Sequence, residues 1–161
     1  MDSDDALAMS SRQRKWDLRF LRLAREIGTW SKDPGTKVGA VIVDPERHIV
    51  STGYNGFPKG LDDDPRDYLD RDLKLNRILH AEMNSLLRAH RDLSGHTLYT
   101  YPLMSCVRCA VHVIQSGVSR CVSVELEGGA KERWGSSVEQ SLNLFAAAGI
   151  QTATYKTTDL E

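Results

Sequence analysis

One segment decides the fold. Residues 97–124 have the sequence TLYTYPLMSCVRCAVHVIQSGVSRCVSV. Its two ends, Thr97–Tyr101 and Arg120–Val124, are short runs rich in β-branched and apolar residues, which predict strands. Between them, apolar side chains recur at helical spacing from about Cys106 to Gln115, and Gly117 ends that helix. A strand, a helix and a second strand in this order predict a crossover unit within one sheet.

The flanking segments extend this sheet. Upstream, residues 38–43 and 48–52 are rich in β-branched residues and are separated by the turn sequence DPER, which predicts a hairpin. Downstream, a last amphipathic helix ends at Gly149, and residues 150–155 predict a final strand. The sheet therefore has five predicted strands.

Two further helices complete the predicted order. Trp16, Phe20 and Ile27 recur at helical spacing in a first amphipathic helix, and another helix begins near Ile78. Residues 1–11 are polar and have no apolar period, so we expect a flexible tail followed by a single domain at residues 12–161. The order α-β-β-α-β-α-β-α-β predicts an α/β protein with three layers, α/β/α. One mixed five-stranded sheet, opened by the hairpin, has helices on both faces.

The composition fits one globular domain. The chain has 161 residues, of which 40% are hydrophobic and 27% are charged, and this excludes wholesale disorder. Its 21 basic and 22 acidic residues give a net charge of −1, so no overall field attracts nucleic acid or an anionic membrane. No apolar run approaches the ~20 residues that span a bilayer, and the first residues are acidic, unlike a signal peptide. We therefore expect a cytoplasmic protein that binds neither membranes nor nucleic acid.

Two short motifs combine residues that bind metals. His80-Ala-Glu82 and Cys106-Val-Arg-Cys109 each stand at the beginning of a predicted helix. One imidazole and two thiols supply three protein ligands, the number that a catalytic zinc ion uses while its fourth position stays open to water. A helix start favours thiolates, because its free N–H groups and positive dipole end stabilise an anion. Glu82 is a candidate base, since a carboxylate beside such a water can take up a proton and deliver it to a substrate.

Each motif taken alone also has a structural explanation. A single histidine is more often hydrogen-bonded within a fold, Glu82 can be a solvated helix residue, and a lone C-x-x-C occurs in redox pairs and structural zinc sites. The redox alternative expects C-x-x-C after the first strand of a βαβ unit, whereas here it follows several elements. A structural zinc site needs a fourth ligand. Cys121 lies among apolar residues of a strand, where we expect a buried small side chain, and the other histidines lack motif spacing. The combination favours a catalytic zinc.

The combined motifs resemble the zinc-dependent cytidine deaminase superfamily, which has H-x-E followed by P-C-x-x-C. More narrowly, the chain is similar to the deoxycytidylate (dCMP) deaminase family from about Trp16 to Tyr155. The segments that carry this similarity are SKDP at 31–34, TKVGAVIVD at 36–44, GYNGFPKG at 53–60, HAEMN at 80–84 and IQSG at 114–117.

The resemblance implies a cytidine-deaminase-like fold and roles for single residues. It implies that His80, Cys106 and Cys109 bind Zn²⁺. Glu82 then acts as the proton shuttle, and Asn55 forms part of the nucleotide pocket. One position departs from the family, since Ser105 stands where a proline usually precedes the first cysteine. A serine can cap the first turn of the following helix through its hydroxyl, so we expect the metal site to survive.

The implied reaction is hydrolysis of dCMP to dUMP and ammonia, a step toward thymidylate. A 5′-phosphate needs a cation or backbone N–H groups near the sugar end of the pocket, and Lys37, Lys59 and Arg108 are candidates. Two alternatives stay open. One is a deaminase of the same chemistry that acts on a modified dCMP, cytosine, guanine or tRNA adenosine, and the other is a non-catalytic, zinc-stabilised nucleotide-binding module.

Regulation and assembly are also implied by the resemblance. Relatives are commonly homo-hexamers that dCTP activates and dTTP inhibits, with Mg²⁺ accompanying the nucleotide. The long loop at residues 53–73 lies where such control would act. Its many aspartates can help to hold Mg²⁺ through a triphosphate or can simply face solvent, and the sequence leaves both open.

Overall fold

Five strands form one mixed sheet in the computed structural model, which describes the backbone of residues 3–161 and side chains from Ser10 onward. The strands are β1 (Gly39–Val43), β2 (Ile49–Tyr54), β3 (Thr97–Tyr101), β4 (Arg120–Val124) and β5 (Gln151–Tyr155). Their order across the sheet is β2-β1-β3-β4-β5. Strand β1 pairs antiparallel with both β2 and β3, whereas β3, β4 and β5 run parallel. The predicted hairpin and mixed five-stranded sheet are confirmed.

Helices cover both faces of the sheet. They are α1 (Ser3–Gly28), α2 (Arg71–Arg77), α3 (Ala81–Ala89), α4 (Val107–Gln115) and α5 (Gly129–Ala147), with short 3-10 helices at Pro65–Leu69 and Thr157–Leu160. On one face, Leu21 and Ala24 of α1 are fully buried in a core with Val41, Tyr99 and Val122 of the sheet. None of the described helices is long and apolar enough to span a membrane.

The opposite face carries α3, α4 and α5. Ala81, Ala110 and Phe145 of these helices are buried in a second core together with Ile42 and Leu98. Neighbouring strand residues point to opposite faces of a sheet, so β1 and β3 each contribute to both cores. The three-layer α/β/α arrangement is confirmed.

A buried ion pair ties α1 to the strands beneath it. Asp17 is fully buried and accepts two hydrogen bonds from the Arg120 guanidinium, at 2.8 and 2.7 Å. The hydroxyls of Tyr99 and Tyr155 donate to the same carboxylate at 2.8 and 2.6 Å, and the Gln13 amide donates at 2.9 Å. Burial raises the pKa of Asp17, but these donors outweigh it and hold the pKa below its ordinary value. The charge is therefore fully compensated inside the fold.

Helix α3 lies unusually close to the hairpin. A Cβ at Gly53 would overlap the carbonyl oxygen of Ala81 and would lie 2.6 Å from the amide nitrogen of Ser85. Two side chains fasten the contact, because the Ser51 hydroxyl donates to the Ser85 carbonyl at 2.7 Å and the Asn84 amide donates to the Tyr54 carbonyl at 2.8 Å. The beginning of α3 is therefore fixed against β2.

The N-terminal part of α1 differs from the sequence prediction. The helix begins at Ser3, so residues 3–11 are helical where the sequence predicts a flexible tail, and residues 1 and 2 lie outside the described residues. The segment ALAM at residues 6–9 consists of strong helix formers, which let a helix extend beyond its packed part without an apolar period. The expected division after residue 11 falls within α1.

The segment after the hairpin contains more structure than the predicted long loop. Asp64 accepts a hydrogen bond from the Arg66 amide at the start of the first 3-10 helix, and Asp70 accepts one from the Leu73 amide at the start of α2. The next helix begins at Ala81 rather than near Ile78, because residue 79 is extended and exchanges two backbone hydrogen bonds with Gly56. Two aspartates of this segment, Asp64 and Asp70, therefore cap helices.

Candidate metal centre and cavity

Both metal-binding motifs lie at helix starts. His80 is the N-cap residue of α3 and Cys106 is the N-cap residue of α4, and both have extended backbones, with ψ angles of 156° and 163°. On an ideal helix His80 and Glu82 would point in nearly opposite directions, about 200° apart. The extended N-cap turns His80 out of that register, so both side chains line one cavity.

Three ligand atoms converge between the two helix starts. The Nδ1 atom of His80 lies 3.4 Å from the sulfur of Cys106 and 3.3 Å from that of Cys109, and the three atoms lie within 4.8 Å of one another. Zn–S bonds of ~2.3 Å and Zn–N bonds of ~2.0 Å in a tetrahedron require N to S separations of roughly 3.5 Å. The residues therefore fit a zinc ion bound through Nδ1 and two thiolates, with one open position.

Electrostatics around the ligands favours a thiolate. Hydrogen bonds with Cys109 and His80 hold the pKa of the Cys106 thiol well below its ordinary value. The hydrogen bond with Cys106 in turn raises the pKa of His80. Both cysteines also lie in the first turn of α4, where the free N–H groups of the helix favour an anion. By contrast, the hydrogen bond with Cys106 and burial raise the pKa of the Cys109 thiol, so the second thiolate would form only with a bound cation, whose charge the two thiolates would then neutralise.

Glu82 is the only acidic residue in the first turn of α3, and it is 3% exposed. Burial raises the pKa of its carboxyl above the ordinary value, although the nearby His80 opposes this. A buried carboxyl beside a cavity is suited to accept a proton and give it up again, because a raised pKa makes its protonated state more accessible.

Ser105 does not cap α4 as the sequence predicts. Its side chain is fully buried, and its hydroxyl has no hydrogen-bond partner among the described residues. The N-cap residue is Cys106 instead, and the free amide of Val107 donates to the Ser137 hydroxyl of α5 at 3.0 Å. The serine side chain of a distant helix thus replaces the expected local cap, so α5 is attached to the cysteine loop.

A cavity of about 350 Å³ extends away from the ligands. Its wall includes the ligand residues His80 and Cys106 and the carboxyl of Glu82, together with Leu103 and Trp134. The buried indole N–H of Trp134 has no partner among the described residues, which leaves a hydrogen-bond donor for a ligand. The volume suits a small molecule such as a nucleotide.

Asn55 also lines this cavity, as the resemblance implies for the nucleotide pocket. Its side chain is buried and forms hydrogen bonds with the segment at residues 33–38. The amide oxygen accepts from the Val38 amide at 2.8 Å, and the amide nitrogen donates to the Thr36 carbonyl at 2.9 Å and to Asp33 at 3.3 Å. Asn55 therefore shapes the cavity wall at Thr36 and Val38, and a direct role toward substrate stays a prediction.

The three cations predicted to bind phosphate lie outside the cavity wall described here. The Lys37 ammonium donates to the Ser31 carbonyl, and Lys59 and Arg108 are solvent-exposed. Two other cations, Arg71 and Lys74 of α2, line the cavity instead. The sequence interpretation did not select them, because it treated Arg71 and Lys74 as charges that balance the neighbouring aspartates.

A signal for α2 was nevertheless present in the sequence. Arg71, Lys74, Leu75 and Ile78 have the spacing i, i+3, i+4, i+7 that places residues on one face of a helix, and all four line the cavity. Only about two turns of helix produce this pattern, which is too short to stand out against the surrounding charges.

Comparison with known sequences identifies the family. The profile of the cytidine and deoxycytidylate deaminase zinc-binding region matches residues 14–125, which include both metal-binding motifs. The chain belongs to the cytidine and deoxycytidylate deaminase family. An uncharacterised deaminase encoded in the luxG 3′ region of Aliivibrio fischeri is 41% identical over 139 residues, which cover 85% of this chain and 91% of that relative.

Relatives with a named substrate belong to the same family. A probable deoxycytidylate deaminase of Caenorhabditis elegans is 43% identical over 111 residues, which cover 66% of this chain and 56% of the relative. The chain thus spans just over half the length of that enzyme.

The deaminase fold is confirmed by solved structures. The apo form of the dCMP deaminase from cyanophage S-TIM5 superposes with a TM-score of 0.66 and 19% sequence identity, covering 86% of this chain and 96% of the phage chain. The phage enzyme has also been solved in complex with dCMP and dUMP, and that form superposes with a TM-score of 0.63. At this level of identity the likeness establishes the fold alone.

Proposed function

We propose that this protein is a zinc-dependent deaminase that hydrolyses dCMP to dUMP and ammonia. The observation that carries the proposal is the convergence of His80, Cys106 and Cys109, together with a buried Glu82 that lines the same nucleotide-sized cavity as His80 and Cys106. Membership of the family and relatives named deoxycytidylate deaminase support dCMP as the substrate.

The proposed ligands are the imidazole of His80 and the two thiolates. When bound, zinc supplies a water that is nucleophilic near neutral pH, because the metal lowers the pKa of that water toward ~7. The thiolates at the start of α4 hold the metal in place, and the extended N-cap conformation directs His80 toward them. His80 and Cys106, two of the three residues that would hold the metal, also line the cavity.

Glu82 is the proposed proton shuttle. It takes a proton from water and donates it to N3 of the cytosine ring, which makes C4 electrophilic. After the water oxygen has added to C4, Glu82 takes the remaining proton from that oxygen and transfers it to the amino group, and ammonia leaves as the C4–N bond breaks and the C4=O bond forms. Water and dCMP are consumed, dUMP and ammonia are formed, and the carboxyl returns to its starting state.

A panel of possible substrates tests the proposal. Purified protein, with its zinc content measured on the same sample, is assayed for ammonia release from dCMP, CMP, deoxycytidine and dCTP. We expect dCMP to be turned over most efficiently. Faster release from cytosine, guanine or a modified dCMP would replace dCMP by another substrate of the same chemistry, and zinc binding without any release would favour a non-catalytic module.

Assembly, regulation and location rest on the same family relationship. We propose a cytoplasmic homo-oligomer that responds to dCTP and dTTP with Mg²⁺. The aspartates at the start of the first 3-10 helix and of α2 cap these helices, so they contribute to the fold independently of any Mg²⁺. Light scattering with and without dCTP, at fixed Mg²⁺, tests the assembly.

A further inference from the structure

We propose that Arg71 and Lys74 of α2 bind the 5′-phosphate of the substrate and thereby select a nucleotide over a nucleoside. This inference rests on the proposed function, because it concerns the same cavity. It assigns the selectivity to a helix of seven residues that has none of its side chains buried.

The two cations share one face of α2. Arg71 and Lys74 are three residues apart, and both line the cavity with Leu75 of the next position. The ligand residues His80 and Cys106 line the same cavity from the starts of α3 and α4. A nucleotide that presents its base to the ligands can therefore present its phosphate to α2.

Arg71 has an uncommitted guanidinium. It forms no ion pair and no side-chain hydrogen bond with any residue that the structure describes. A phosphate monoester carries a charge of about −1.5 to −2 at pH 7, and a guanidinium matches two of its oxygens with parallel N–H groups. Arg71 thus supplies both charge and geometry for this anion.

Lys74 compensates a buried carboxylate at the cavity wall. Its ammonium lies 2.8 Å from Asp33, which is 2% exposed and which also accepts from the Gly35 amide at 2.8 Å. Without Lys74, the Asp33 carboxylate would present an uncompensated negative charge and repel a phosphate. An ammonium has three donors, so Lys74 retains donor capacity for a phosphate oxygen while it contacts Asp33.

The other cation of this helix provides a matched control. Arg77 is exposed, lies 3.7 Å from Asp67 and is absent from the cavity wall. Replacing Arg71 or Arg77 by glutamine removes the same charge from the same short helix. Only the Arg71 change removes a cation that faces the cavity.

The test compares kcat/KM for dCMP and deoxycytidine in the wild type, Arg71→Gln, Arg71→Lys and Arg77→Gln. Hydrogen bonds between charged groups are worth enough that Arg71→Gln should lower kcat/KM for dCMP by about 10- to 100-fold. The value for deoxycytidine should stay within about threefold, Arg71→Lys should recover part of the loss, and Arg77→Gln should match the wild type. Equal losses for both substrates, or no loss for dCMP, would overturn the assignment.

A binding measurement separates this inference from the proposed function. Calorimetry with dUMP and deoxyuridine reports phosphate recognition without any turnover. If the wild type releases no ammonia from dCMP, the proposed function fails. The phosphate assignment still stands if Arg71→Gln weakens dUMP binding by about tenfold or more and leaves deoxyuridine unaffected. It falls if dUMP binds both proteins equally or fails to bind the wild type.

Discussion

Two buried polar clusters lie on opposite faces of the sheet, and they differ in how their polar atoms are satisfied. On the α1 face, Asp17 receives five hydrogen bonds from side chains of the helix and the strands. On the other face, the Glu82 carboxyl and the ligand atoms of His80 and Cys106 border a cavity. A buried charge with all its partners stabilises one conformation, whereas buried groups with open capacity can act on a ligand. Asp17 and Glu82 are both buried, so burial alone does not distinguish the stabilising residue from the candidate catalytic residue.

The largest expected effect is on catalysis at the cavity. Glu82→Gln keeps the shape of the side chain but removes the proton acceptor, so we expect kcat to fall by about 10²- to 10⁴-fold. Zinc content by mass spectrometry and the far-UV circular dichroism spectrum should be unchanged. Turnover that stays within a few-fold of the wild type would assign the proton shuttle to another group.

Removing a ligand should release the metal. Cys109→Ser replaces a thiolate by a weakly acidic hydroxyl, so we expect the bound zinc to drop well below one equivalent, with loss of activity. Cys121→Ala is the control, because Cys121 is a third buried cysteine that lies outside the ligand group. Retention of zinc by Cys109→Ser, or its loss in Cys121→Ala, would contradict the assigned ligand set.

The cluster on the α1 face should affect stability instead. Asp17→Asn leaves the Arg120 charge buried without its partner, and removing one member of a buried pair costs about 3–5 kcal/mol. Urea unfolding measures this loss in the free energy of unfolding, and kcat at a temperature where the variant is folded should change little. Asp159→Asn, which removes a more exposed ion pair with Arg14, should cost less than about 1 kcal/mol. Equal losses of unfolding free energy in the two variants would show that the buried ion pair of Asp17 contributes no more stability than the more exposed pair of Asp159.

The hydrogen bonds of Asp17 should also make the unfolding free energy depend on pH in the acidic range. The pKa of Asp17 is held below 3.8 in the folded state, so at acidic pH the unfolded chain binds more protons than the folded chain. The stabilisation by Asp17 is complete above the unfolded pKa and is lost as the pH falls through the folded pKa. Between pH 5 and pH 2, we expect the unfolding free energy of the wild type to fall more steeply than that of Asp17→Asn. If the unfolding free energies of the wild type and Asp17→Asn fell equally with pH, Asp17 would not be the source of the acid sensitivity.

The smallest expected effect concerns the link between α5 and the cysteine loop. Ser137→Ala removes the acceptor for the Val107 amide, and we expect a loss of about 0.5–1.5 kcal/mol in unfolding free energy. Because this contact supports the first turn of α4, the variant should also release zinc to a chelator faster than the wild type. Unchanged chelation kinetics would limit the role of Ser137 to stability.

The sequence by itself determined the order of the elements and the chemistry of the site. Strands and crossover helices have strong local patterns, and apolar spacing places the two motifs near the starts of predicted helices. His80, Cys106 and Cys109 were predicted together because zinc coordination demands few residue types at short spacings. The same local rules failed at Ser105, where a capping serine was expected and a contact from α5 took its place.

Only the tertiary structure decided which polar residues share a space. Asp17 and Arg120 are 103 positions apart, and the contact of Lys74 with Asp33 joins residues 41 positions apart. No local pattern encodes such pairs, because sheet order and helix packing bring them together after the chain has folded. Arg71 and Lys74, which we propose as phosphate ligands, line the cavity because folding brings α2 against segments far away in the sequence, as the contact of Lys74 with Asp33 shows.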